Sequence, residues 1–190
     1  MLHGPAAERR LDALLEEFSK RARPIHIVPK RDAPLQRAID RVLRVLTFGG
    51  QSTYLTQYVT TLGHTIFVPE SWPQWPPGRR WEVLRHEAVH VAQFERFGWI
   101  GMTLLYVFLP LPMGLAYGRA RLEWEAYRET LRCTVELEGI DAARSPGLRD
   151  EIVRRFTGPD YAWMWPFPRV VRRWIDAELS VLDSERRGRG

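Results

Sequence analysis

Residues Arg85 to Gln93 read Arg-His86-Glu87-Ala-Val-His90-Val-Ala-Gln, an H-E-x-x-H spacing. Two histidines four apart on a helix share a face, with Cβ atoms about 5–6 Å apart, so both imidazoles can reach a single Zn²⁺ at about 2.0–2.1 Å. Glu87 follows about 100° further round the axis, so its carboxylate points beside such an ion rather than at it. From there it can take a proton from a zinc-activated water, the general-base part of metal-assisted hydrolysis. Two core histidines bonded to backbone are the alternative reading of the same spacing, weighed against the helical context that surrounds it.

This chemistry needs a rigid helix. Pro76-Pro77-Gly78 ends a loop, Trp81 to Phe97 contains no breaker, and Gly98 supplies a stop. Val83, His86, His90 and Phe94 form one inward stripe and Trp81, Leu84, Ala88 and Val91 a second, leaving Glu82, Arg85, Gln93 and Arg96 to face water. Ahead of the helix, Gln51 to Val68 is rich in Thr, Tyr, Val and Ile around Gly63-His64, which predicts a β-hairpin. Its second strand, Thr65 to Val68, runs towards the helix and is expected to pair with an extended peptide by strand addition.

The remaining segments read as packing elements. Ala6 to Arg21 carries Leu11, Leu14, Leu15 and Phe18 at helical spacing, Ile25 to Val28 reads as a short strand, and Asp32 is expected to cap a further helix. His26, in that strand and far from the motif in sequence, is read as structural. Leu122 to Leu137 is a helix ended by Gly139, and Leu148 to Phe156 and Val170 to Leu182 are two more. Cys133, ten residues past Glu123, stands about 15 Å up that axis and is too distant to share a metal with it. The aromatic stretch Tyr161 to Phe167 is broken by prolines and reads equally as a lid over the core or a wall of a pocket.

A chain of 190 residues with one cysteine predicts a single domain, 1–184, followed by a frayed Arg/Gly tail, 185–190. The lone Cys133 excludes an internal disulfide, and the first ten residues lack the apolar core of a secretory signal, so a cytoplasmic setting is expected. The net charge of +5 comes from arginines scattered among Asp and Glu, with Lys20 and Lys30 the only lysines. No basic arm or reader module is recognisable, so nucleic acid is not an expected partner. No charge lies between Arg96 and Arg119, a stretch of membrane-span length. A straight span would put His90 and everything after Arg119 on opposite sides of a bilayer, and Pro110 and Pro112 break the segment. Residues 99–118 are therefore read as a folded-back apolar hairpin packed as core, with peripheral membrane contact as the alternative.

Catalytic zinc takes three protein ligands and keeps one position open. No histidine follows His90, and Gln93 and Arg96 exclude the metzincin pattern, so a carboxylate is needed. Glu123 to Ala126 reads E-x-x-A on a later helix, and together with His86-Glu87-Ala-Val-His90 it resembles the gluzincin clan of zinc metallopeptidases, in particular the short stand-alone minigluzincins. The resemblance covers roughly residues 65–132. It implies a mostly helical α+β, zincin-like fold in which a small antiparallel sheet or hairpin packs beside the H-E-x-x-H helix and an edge strand lies above the cleft. It also implies hydrolysis of peptide bonds in a peptide or protein substrate by zinc-activated water. Carried over residue by residue, His86, His90 and Glu123 are the ligands and Glu87 the general base. Where many gluzincins have an Asp orienting a ligand histidine, this chain has Tyr127. Its hydroxyl is one of three candidate oxyanion donors, with Tyr161 and His64.

Helix register separates Glu123 from its neighbour Glu125. Stepping by three or four from Glu123 gives Ala116, Ala120, Ala126, Tyr127, Thr130 and Cys133, an uncharged stripe; from Glu125 it gives Arg121, Arg128, Glu129 and Arg132, a charged one. Glu123 is expected inside and Glu125 outside. The rival reading of the whole chain is a catalytically idle, zinc-stabilised binding or membrane-associated protein that uses the apolar hairpin and the aromatic loop.

Overall fold

A computed structural model describes residues 4–30, 59–106, 117–158, 164–165 and 167–188. The expected helix after Asp32, the centre of the apolar segment at 107–116, and Tyr161 all lie outside them. The described chain is mostly helical with a small three-stranded mixed sheet, an α+β composition. It divides into two compact parts, Leu2–Glu87 and Ala88–Gly190.

In the first part, helix α1 (Pro5–Lys20) buries Ala7, Leu11, Leu14 and Phe18, the stripe its apolar spacing predicts; Leu15, beside that stripe, is exposed. Strand β1 (His26–Pro29) follows, then β2 (Thr60–Leu62) and β3 (Thr65–Val68). The hairpin turns at Gly63, whose φ of 59° is easy for a residue without Cβ. β3 pairs antiparallel with β2 and parallel with β1, so the order is β1-β3-β2. Two expectations change here. The sheet is mixed rather than antiparallel, because β1 joins it, and β3 is the central strand. Its backbone groups are committed on both sides, so among the described residues the edge beside the hairpin belongs to β2. A 3₁₀ turn at Trp72–Gln74 then leads to helix α2 (Pro77–Tyr106), which opens on proline, the residue whose missing N–H and fixed φ suit a first helical position.

α2 starts four residues before the expected Trp81, and it breaks at the expected stop: Gly98 has φ 65° and ψ 177°, outside the helical region. The division between the two parts falls on α2, between Glu87 and Ala88. After Gly98, Met102 is buried, whereas Trp99, Ile100, Leu104 and, beyond the undescribed stretch, Tyr117 are exposed. Core packing of the apolar segment therefore holds for only some of its described residues. Among the described residues no helix is long and apolar enough to cross a membrane.

The second part continues with α3 (Tyr117–Glu138), α4 (Ile140–Ala143), α5 (Pro146–Thr157) and α6 (Pro168–Arg187). Ser145 caps α5 by accepting from the Leu148 backbone N–H at 3.4 Å. The core joins Ala120, Trp124 and Leu131 of α3 to Ile152 and Phe156 of α5 and Val171, Ile175 and Leu179 of α6. Trp124, Phe156 and Trp174 meet edge-on or tilted at 5.6–6.5 Å, the geometry aromatic quadrupoles favour. The small helix α4 was not expected, and α6 runs three residues into the tail that was expected to fray. In the aromatic stretch Met164 is buried in this core and Phe167 is exposed, while residues 161–163 and 166 lie outside the described residues.

Candidate metal centre

α2 and α3 supply a potential ligand set. His86, His90 and Glu123 each offer one ligand atom, and these atoms all lie within 4.8 Å of one another. Nε2 of His90 is 3.9 Å from Oε2 of Glu123. Ligands at about 2.0–2.1 Å from a tetrahedral ion stand about 3.4 Å apart, so this pair would close by about half an ångström. The donor chemistry fits zinc: two imidazole nitrogens and one carboxylate oxygen form a set used where the fourth position stays open to water. Glu123 is 2 % exposed and His90 7 %, while His86 is half-buried.

Glu123 is the inward carboxylate that the stripe on α3 predicts. An isolated carboxylate buried to this degree costs several kcal/mol, and a dication is strong compensation. Cys133, fully buried further along α3, is outside the ligand group.

Glu87 is 8 % exposed, and one of its carboxylate oxygens, Oε2, accepts a hydrogen bond of 2.6 Å from the Thr61 hydroxyl. The sheet explains the reach. Thr61 pairs directly with Ile66 across the β2–β3 ladder, and directly opposed residues project to the same face, here the face on which Ile66 is wholly buried. Thr61 therefore faces inward, where it meets the carboxylate. Hairpin periodicity placed Thr61 in a strand, but its partner on α2 is fixed only by the fold.

Two residues expected to face water do not. Gln93 is 3 % exposed. Its Oε1 lies 2.9 Å from Nδ1 of His90, and its Nε2 donates to the Leu122 carbonyl at 3.0 Å and to Oε2 of Glu125 at 3.0 Å. Glu125 is half-buried and turned towards Gln93 rather than wholly to solvent. The signal in the sequence was the i, i+3 spacing of His90 and Gln93, which places the two side chains as neighbours. Tyr127, by contrast, packs its ring against Phe156 at 5.5 Å. Gln93 makes a hydrogen bond with His90 Nδ1. His64 occupies the hairpin turn, where its carbonyl accepts from the His26 N–H at 2.9 Å, and neither ring belongs to the ligand group.

Compared with models of known protein families, with curated proteins and with solved structures, the chain finds no match in any of the three.

Proposed function

We propose that this chain is a zinc-dependent metallopeptidase of zincin-like fold that hydrolyses peptide bonds, with Glu87 as general base. The carrying observation is the convergence of His86, His90 and Glu123 on one small volume, with Glu87 on the same helix as the two histidines. Zn²⁺ bound there would supply a Lewis acid that activates water and polarises a carbonyl. Glu87 accepts the proton the attacking water loses and returns it to the leaving amine nitrogen. The Thr61 hydroxyl holds one oxygen of that carboxylate and limits its swing. The histidines and Glu123 keep the donor set on rigid helices. The gluzincin-like pairing of H-E-x-x-H with E-x-x-A supports the same reading. Among the described residues β2 forms a sheet edge, to which an extended peptide could add as a strand.

Metal analysis of the purified protein beside His86→Ala, His90→Ala and Glu123→Ala tests the ligand set. Near-stoichiometric zinc in the wild type and little in each variant is expected; wild type without metal after zinc loading would overturn it. A second reading, an idle zinc-stabilised binding protein, draws on the exposure of Trp99, Ile100 and Leu104. It expects zinc in the wild type with no turnover of any peptide.

A further inference from the structure

We infer that Gln93 is a positioning residue that fixes the tautomer of His90, and that its own orientation is dictated by two acceptors on α3. A glutamine amide can be turned over, exchanging its oxygen and nitrogen, so its placement must be argued from its neighbours. Here one end of the Gln93 amide faces the Leu122 carbonyl and the Glu125 carboxylate, both at 3.0 Å. A backbone carbonyl can only accept, and an ionised carboxylate can only accept. That end must therefore be the NH₂, because an oxygen there would oppose two further oxygens in a buried site.

The consequence passes along the side chain. With the NH₂ directed to α3, Oε1 is the atom 2.9 Å from Nδ1 of His90, and an oxygen acceptor requires Nδ1 to carry the proton. A neutral imidazole protonated at Nδ1 has its lone pair on Nε2. Nε2 is the nitrogen that faces Glu123 Oε2 at 3.9 Å, on the side where the ligand atoms converge. The Leu122 carbonyl lies one residue before Glu123, so the same contact that sets the His90 tautomer also ties it to the helix segment presenting the carboxylate ligand. Gln93 thus prepares His90 to bind before any ion arrives. Outer partners of this kind typically tune metal affinity 10–100-fold.

For its effect on zinc this inference rests on the metal reading above, but the tautomer can be read without metal. Long-range ¹H–¹⁵N spectra of the metal-free protein at mildly alkaline pH report which ring nitrogen carries the proton. His90 is assigned by the signal lost in His90→Asn, and zinc affinity is measured separately by chelator competition. The expected wild-type result is the Nδ1–H tautomer. Gln93→Leu should lose that preference and bind zinc about 10–100-fold more weakly. Glu125→Gln can still accept through its amide oxygen, so it should keep both properties near wild type. Protonation of His90 at Nε2 in the wild type, or an unchanged tautomer and affinity in Gln93→Leu, would overturn the inference. The wild-type spectrum alone decides if Gln93→Leu fails to fold. A wild type with the Nδ1–H tautomer but no zinc binding would leave the role of Gln93 standing and remove the metal reading instead.

Discussion

Replacing Glu123 by glutamine should move the metal-free and zinc-loaded proteins in opposite directions. The carboxylate is 2 % exposed and 3.9 Å from His90 Nε2. Burying a charge costs several kcal/mol, only part of which fixed protein groups return, so the neutral isostere should leave metal-free stability unchanged or raise it by up to about 2 kcal/mol. In wild type, free zinc at about a hundred times Kd stabilises the native state by about 2.7 kcal/mol. For a domain of this size that is a rise of about 5–11 °C in Tm. Losing one buried charged ligand costs about 3–5 kcal/mol of binding. At the same zinc concentration the variant then retains under about half a kcal/mol of stabilisation. Thermal unfolding with and without zinc, on wild type and Glu123→Gln, reads both effects. A zinc-induced shift in the variant equal to that of wild type would show that Glu123 is not a ligand, and a collapse of the metal-free variant would show that its carboxylate serves the fold instead.

Thr61→Val should retain zinc but reduce peptide turnover by about 10- to 150-fold, since it removes a hydrogen bond to a charged group worth about 1.5–3 kcal/mol; undiminished turnover would remove Thr61 from the site. Gly98→Ala should destabilise by about 1–3 kcal/mol, because φ 65° with ψ 177° is a region open essentially to glycine. A Cβ there meets nothing within 4 Å, so the cost is conformational, and a denaturant midpoint unchanged from wild type would contradict it. Hydrogen bonds from Arg144 and Arg187 hold the Asp183 carboxyl below its ordinary range. A depressed carboxylate contributes stability that is fully present above its unfolded value and is lost as pH falls through the lowered folded value. Asp183→Asn should therefore flatten the acid limb of the stability curve below the ordinary carboxylate range, and identical acid limbs in the two proteins would refute it.

The helix carrying the histidine pair was legible because helical periodicity is local: His86, Glu87 and His90 sit within five residues, and Gly98 announces the break. Glu123 was legible because its stripe on α3 is otherwise uncharged. Gln93 was not, because its amide partners stand 29 and 32 residues away on another helix, and a rule that sends polar residues to water cannot see them. Glu125 was misjudged for the same reason: its outward stripe is real, but half-burial lets the side chain reach Gln93. Strand propensity found all three described strands, yet not the parallel pairing of β1 with β3, which joins residues about forty positions apart and makes β3 central, so that among the described residues β2 is the edge beside the hairpin. The ring contact of Tyr127 with Phe156 joins residues on two helices and is likewise not written in the local spacing.

The most direct measurement is metal content and peptide turnover on wild type and Glu87→Gln in parallel, with a mixed peptide library as substrate. Glu87 is not a ligand, so both proteins should carry about one zinc per chain, and only the wild type should release new amino termini. Zinc in both with no cleavage by either, or equal cleavage by both, would contradict the assignment of Glu87 as the general base of a metallopeptidase.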